Sequence, residues 1–263
     1  MEVTLVDRRN FHLFQPLLYQ VATGGLSPAN ISAPLRSILR RQPNTRVVLG
    51  EAVDVDLERR YVVLSDGELA FDTLVVATGA RHHYFSHEAW EELAPGLKTL
   101  EDATDILCRI LLAFEAAERE QDPWLVKRWL TFVIIGGGPT GVELAGAVGE
   151  LANYTLRHDY RSIRPEEAKI ILLEATDRVL PTYPPPLSLR AERDLARLGV
   201  EVRTETAVTE VQSGAVILHH GEESERIETK TVLWAVGTIA SPLGKALAEA
   251  TGAGGCFRCR WSR

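Results

Sequence analysis

Two hydrophobic patterns alternate along the chain and together outline an α/β protein. Short, mainly apolar runs at 132–135, 169–174 and 231–237 read as strands buried on both faces. Apolar residues at helical spacing fall between them. The clearest case is 103–120, where Ile106, Ile110, Leu111, Phe114 and Ala117 share one face and Cys108 is expected in the core. Helical patterns also cover 27–41, the stretch from Thr140 with Val142, Leu144, Ala145 and Val148 on one side, and 187–198. Shorter β-rich stretches predict strands at 3–7, 46–50, 52–56, 61–64 and 200–203, and a hairpin of 207–211 with 215–219 about Ser213-Gly214. Residues 72–79 are expected to be a buried strand ending in Ala77, Thr78 and Gly79, small residues that let a ligand lie against the backbone. Residues 122–128 read as a linker, 153–167 as a polar insertion, and the prolines 184–186 as a stiff loop.

One junction carries definite chemistry. Gly136, Gly138 and Gly141 form G-x-G-x-x-G where the run 132–135 passes into a helix. The first glycine permits the tight turn and the second lets the backbone approach a pyrophosphate. The third lets helix and strand pack closely, while the helix N-terminus faces the anion. Pro139 and Thr140 occupy the x-x positions, and Glu143 follows in the next turn. Glu174, at the end of the next strand, is placed to accept hydrogen bonds from an adenosine ribose and to repel a 2′-phosphate, which favours NAD over NADP. It lies farther beyond Gly141 than the usual ~20 residues, and the insertion accounts for the excess. On residues alone Glu174 could instead be a solvated strand-end acid, and Glu143 an acid favoured by the helix dipole.

Composition narrows the classes. The 263 residues, 45% hydrophobic, suffice for one large or two modest domains. A net charge of −7 without a long basic run argues against nucleic-acid binding. No apolar stretch reaches the ~18 residues of a membrane span, and the N-terminus does not resemble a signal peptide. Three cysteines favour a reducing compartment over a disulfide framework. Cys256 and Cys259 have no partner pair, and His82, His83 and His87 match no zinc spacing, so no metal site is expected. The histidines read as a polar loop.

The strand 3–7 ends in Asp7, as the second strand of a dinucleotide-binding unit does, so the sequence reads as beginning inside such a unit. The next stretch, Phe11-His-Leu-Phe-Gln-Pro-Leu-Leu-Tyr-Gln-Val-Ala-Thr-Gly24, resembles the second flavin-contacting segment of the type II NADH dehydrogenases, the non-proton-pumping NADH:quinone oxidoreductases. Pro95–Asp102, the combination Pro139-Thr-Gly-Val-Glu-Leu-Ala-Gly146 and Trp234-Ala-Val-Gly237 extend the resemblance over roughly residues 3 to 251. Gln15, Tyr19 and Gln20, taken alone, read as packing residues. Thiol-disulfide flavoenzymes and sulfide:quinone reductases use paired cysteines near the flavin, and only Cys108 lies outside the tail here.

The resemblance implies two Rossmann-like FAD/NAD(P)-binding units, the NADH unit inserted in an incomplete FAD unit. The FAD unit would span 1–127 and 238–263, and the NADH unit 128–237. NADH would meet Gly136, Gly138, Pro139, Thr140, Gly141 and Glu174, and Gly237 would be a further cofactor-binding residue. FAD would meet Asp7, the backbone near Ala52, and Ala77, Thr78 and Gly79. Glu143 matches the family's acid on the nicotinamide and quinone side of the flavin, where it would orient the nicotinamide or relay a proton. Hydride would pass from NADH to FAD and two electrons on to a quinone. The family's Gly-Asp flavin motif and membrane-binding C-terminal region have no counterpart in 252–263, so the sequence reads as truncated at both ends. The full-length form would be cytoplasmic, peripheral on the inner face of the cell membrane, and a possible homodimer. A non-catalytic NADH-binding remnant and a reductase with a soluble acceptor remain as alternatives.

Overall fold

The computed structural model describes residues 1–221 and 223–251, and its contacts divide the chain into two compact units. The larger comprises Gln15–Ile31 and His82–Gly237; the smaller comprises Met1–Phe14, Ser32–Arg81 and the chain from Thr238. The expected boundaries differ, because 15–31 and 82–127 join the larger unit. The cause is packing. The helix Leu100–Arg119 buries Ala103, Ile106, Ile110, Ala113, Phe114 and Ala117, and the Phe114 ring lies 5.3 Å from that of Phe132 in the central strand.

The larger unit is built on a four-stranded parallel sheet in the order Val200–Arg203, Lys169–Leu173, Thr131–Ile135, Thr231–Trp234. The chain steps outward through three strands and returns to the other side of the first. That reversal is the switch point at which open α/β sheets bind ligands, outside the carboxyl ends of the strands. Successive side chains alternate between faces. Val133, Ile135, Ile171, Leu173, Val232 and Trp234 join one core cluster with Val211, Val216, Leu218 and Ile227 from an antiparallel meander. The meander has three strands, Ala207–Gln212, Ala215–His220 and Glu223–Glu228; the sequence pattern yields only the first two, because Glu223–Glu228 is largely charged and exposed. The opposite face carries Phe132, against Phe114.

Several expectations fail in this unit. Cys108 is exposed, not in the core. It stands two positions from both Ile106 and Ile110, about 200° round the helix from each. Residues 122–128 are not a linker but most of a helix, Pro123–Trp129, whose start is set by the Asp122 carboxylate accepting from the Trp124 N–H and by proline in the first turn. Pro185 and Pro186 likewise open the helix Pro185–Arg197 instead of lying in a loop. The strand expected over 231–237 ends at Trp234.

One side chain takes up three successive amides of the insertion at 153–167. The Glu118 carboxylate accepts the N–H groups of Arg161, Ser162 and Ile163 at 2.9–3.1 Å. Desolvation opposes its charge, but these donors outweigh it and hold the carboxyl below its ordinary 4.5. A depressed folded-state value means that the anchoring is complete above 4.5 and is lost as pH falls through the depressed value. Amide protection at 161–163 is therefore expected to fall over that acid range in the wild type and to be low already at neutral pH in Glu118→Ala. Exchange measured by NMR, corrected for intrinsic rates, checks this; unchanged protection in the variant would refute the anchoring role.

In the smaller unit Val3–Asp7 pairs in parallel with Thr45–Leu49, and Ala52–Asp56, Tyr61–Leu64 and Gly67–Ala70 form an antiparallel meander. Leu243 and Leu247 of the helix Pro242–Thr251 pack with Val55 of the meander. The expected helix over 27–41 is broken into Pro28–Ile31 and Leu35–Leu39 by extended Ser32–Pro34, since a residue before proline is pushed out of the helical region. Nor is 72–79 a buried strand. Among the described residues this stretch joins no ladder, and Val75 is 82% exposed. An apolar strand is buried only where neighbours take up its backbone N–H and C=O groups on both sides, and the sheet holding Val3–Asp7 has two strands. Cys256, Cys259 and the rest of 252–263 lie outside the described residues.

Candidate functional site

The glycine turn sits at the switch point. Gly136 follows the buried strand Thr131–Ile135 with φ +110°, and a Cβ there would lie 2.9 Å from the carbonyl of Ala235. A Cβ on Gly141 would come within 1.8 Å of the Gly136 carbonyl oxygen. Both glycines are thus demanded by backbone approaching backbone. Gly138 differs: nothing lies within 4 Å of its would-be Cβ. It is the N-cap of the helix Pro139–Glu150, Pro139 opens the first turn, and no side chain caps that end. First-turn amides at Thr140 and Gly141 and the dipole's positive end are left facing the space beside Gly138, which suits a phosphate group.

Glu174 meets this turn directly. Its Oε2 accepts the Gly137 N–H at 2.7 Å, and its Oε1 accepts the N–H and hydroxyl of Thr176 at 2.8 and 2.9 Å. The spacing excess across the insertion therefore does not separate the acid from the glycines. Oε1 is saturated by its two Thr176 donors, whereas Oε2 has accepted only one and retains a lone pair, so a ribose hydroxyl can still be taken there. Gly137, read only as a variable position in the sequence, matters as well: a side chain there would press on the Glu174 carboxylate.

Glu143 stands on the same helix, exposed to solvent and lining a small pocket of the larger unit. Leu18 and Leu97 give the pocket apolar walls, Gln15, Tyr19 and Thr140 give it hydroxyl and amide groups, and Lys98 brings a positive charge. Partial desolvation by the pocket raises the Glu143 carboxyl above its ordinary value, although the residue stays open to solvent, and lowers the Lys98 ammonium below its own. Gln15 and Tyr19 thus line a pocket instead of merely packing. Tyr19 also receives a hydrogen bond from Gln20. Lys98 escaped the sequence reading; its position immediately before the cap Thr99 of the long helix was the available signal.

The remaining expected residues are more scattered. Gly237 has φ +75°, and a Cβ there would strike the His83 carbonyl oxygen at 2.6 Å, so it shapes the turn after Thr231–Trp234. His82 is half-buried and pairs with Asp102 at 3.2 Å, and His87 stacks on Trp90 at 4.1 Å. In the smaller unit Asp7 ends its strand half-buried and accepts the Arg9 N–H at 2.7 Å. Ala52 begins a strand opposite Leu64. Ala77, Thr78 and Gly79 are exposed; Gly79 has φ +68° with open space about it, and the Thr78 hydroxyl shares a short hydrogen bond with that of Ser241. Among the described residues no hydrogen bond links Asp7 with 77–79.

The family model of the pyridine nucleotide-disulphide oxidoreductases matches residues 1–257. The chain belongs to that family. Similar curated proteins include the type II NADH:quinone oxidoreductases NdhA and Ndh of Mycobacterium tuberculosis. They are 45% and 42% identical, over 95% of this chain and 54% and 55% of theirs. The solved structure of NDH2 from Plasmodium falciparum in complex with NADH superposes with a TM-score of 0.88 at 25% identity, over 93% of this chain and 52% of that one. The chain spans about half the length of the curated relatives it matches.

Proposed function

We propose that the chain is the nucleotide-handling part of a type II NADH:quinone oxidoreductase, in which hydride leaves NADH for FAD and two electrons pass on to a quinone without proton pumping. The observation that carries it is the uncapped glycine turn with Glu174 seated on its Gly137 amide. The larger unit binds NADH: the first-turn amides beside Gly138 hold the pyrophosphate, and Glu174 holds the adenosine ribose and repels a 2′-phosphate. Gly237 keeps the strand-end turn low beside the glycine loop. The smaller unit is the FAD unit. Its residues fit that role in kind, with an acid at a strand's carboxyl end in Asp7, an open glycine in Gly79, and accessible backbone at Ala77, Thr78 and Ala52. FAD, when bound, supplies the ring that accepts the hydride. Glu143 orients the nicotinamide or relays a proton, and its raised carboxyl suits a proton carrier.

Association with the cytoplasmic face of a membrane and pairing of two copies belong to the same proposal and rest on the family resemblance. Among the described residues no helix is long and apolar enough to cross a membrane. The test is a visible spectrum of the purified 263-residue protein with added FAD, before and after NADH. A flavin band at about 450 nm that bleaches on adding NADH is the expected result, since the bound flavin does the chemistry. A protein that binds NADH yet leaves FAD unbound would confine the proposal to the larger unit.

A further inference from the structure

The pocket beside Glu143 contains a group with no role so far. Lys98 is clamped by its own backbone. Its N–H donates to Asp102 Oδ2 at 2.9 Å, and its carbonyl accepts from Gln15 Nε2 at 3.1 Å. Asp102 is itself fixed by the capping box with Thr99 and by His82. Burial opposes the Asp102 charge, yet the His82 ring and the amides of Lys98 and Thr99 hold its carboxyl below the ordinary value. Such a clamp fixes the Lys98 backbone, from which the side chain springs beside the pocket. Among the described residues no ion pair involves Lys98 or Glu143, although both residues line one pocket. A cationic donor and an anionic acceptor in one pocket with Leu18 and Leu97 suit a flat ligand carrying both an acceptor and a donor. The primary carboxamide of a nicotinamide is such a group. Thr140 joins the pocket to the nucleotide turn, because it belongs to the first turn of the helix after Gly138 and also lines this pocket.

We propose that Lys98 is a specificity-determining residue that touches the substrate: its ammonium donates to the carboxamide oxygen of the nicotinamide while Glu143 accepts from the carboxamide nitrogen. This rests on the reading that the larger unit binds NADH. The test titrates wild type, Lys98→Met and Lys98→Arg with three probes. They are NADH, ADP-ribose, which lacks the nicotinamide, and reduced 3-acetylpyridine adenine dinucleotide, which keeps the carbonyl and lacks the N–H₂. Lys98→Met is expected to lose about tenfold in affinity for NADH and for the acetylpyridine analogue, as for a lost charged hydrogen bond. ADP-ribose binding stays unchanged, and Lys98→Arg recovers most of the loss. Separately, Glu143→Gln should bind NADH and the acetylpyridine analogue more nearly alike than wild type does. The inference is overturned if Lys98→Met binds NADH as wild type does, or if it loses ADP-ribose in the same proportion, which would make Lys98 structural. Failure of wild type to bind ADP-ribose would instead remove the NADH reading itself, and this inference with it.

Discussion

Replacing Gly141 by alanine is expected to damage the fold and the nucleotide site together, whereas Gly138→Ala should damage only the site. At Gly141 the new methyl meets a backbone oxygen at 1.8 Å, which no rotamer change relieves. Helix and strand must separate, at a cost of about 3 kcal/mol, the upper part of the range for overpacking. That corresponds to a fall in Tm of roughly 10 °C for a unit of this size. At Gly138 the backbone is extended and the space beyond it is empty, so alanine fits. The exchange of glycine for alanine at an N-cap costs under about 1 kcal/mol. The methyl then stands where a pyrophosphate would lie, and NADH affinity should drop at least about tenfold, or ~1.4 kcal/mol. Thermal melts with NADH fluorescence titration separate the two. A Gly138→Ala protein that binds NADH normally would show that the dinucleotide does not cross this turn.

These two glycines also mark how far the amino-acid pattern could be read. Thr131–Ile135, Lys169–Leu173 and Thr231–Trp234 were legible because strands buried on both faces read as near-continuous apolar runs, and these runs are too short for a buried helix. The glycine turn was legible because two of its positions, Gly136 and Gly141, answer a backbone requirement that only glycine satisfies. Residues 72–79 misled for the same reason that the others succeeded. The pattern Leu74-Val-Val-Ala77 specifies a side-chain environment, but a strand also needs partners for its backbone, and composition says nothing of those. Cys108 misled through residue type: the helical phase of Ile106 and Ile110 already placed it on the outer face.

The site divides along the same line. Gly136, Gly141 and Glu174 come together through neighbouring parallel strands, so a motif within one βαβ segment sufficed to find them. Lys98 depends on a contact from Gln15, distant in sequence, and on a capping box whose acid also binds His82. No local periodicity encodes such a convergence. Glu118 is similar: it reads as one more exposed helical acid until the insertion folds back onto it.

Changing Glu174 to glutamine should collapse the preference for NADH over NADPH. The carboxylate is held in place from two sides, by the Gly137 N–H on one oxygen and by Thr176 on the other, so its charge is aimed and cannot swing away from a 2′-phosphate. Unit charges ~5 Å apart at an effective dielectric of ~20 repel by about 3 kcal/mol, roughly a hundredfold in affinity. Glutamine keeps the shape and removes the charge. It also offers one acceptor oxygen in place of two, so NADH itself should weaken by about tenfold. The ratio of NADPH to NADH dissociation constants, measured by fluorescence titration, is the decisive quantity. Thr176→Val removes a hydroxyl bond while leaving the charge, and should leave that ratio near the wild-type value. Raising ionic strength should shrink the ratio in wild type and not in Glu174→Gln, because screening acts only where a charge is present. Equal weakening of both nucleotides in Glu174→Gln would mean that the carboxylate merely braces the glycine loop, and selection for NADH would then have to reside elsewhere in the turn.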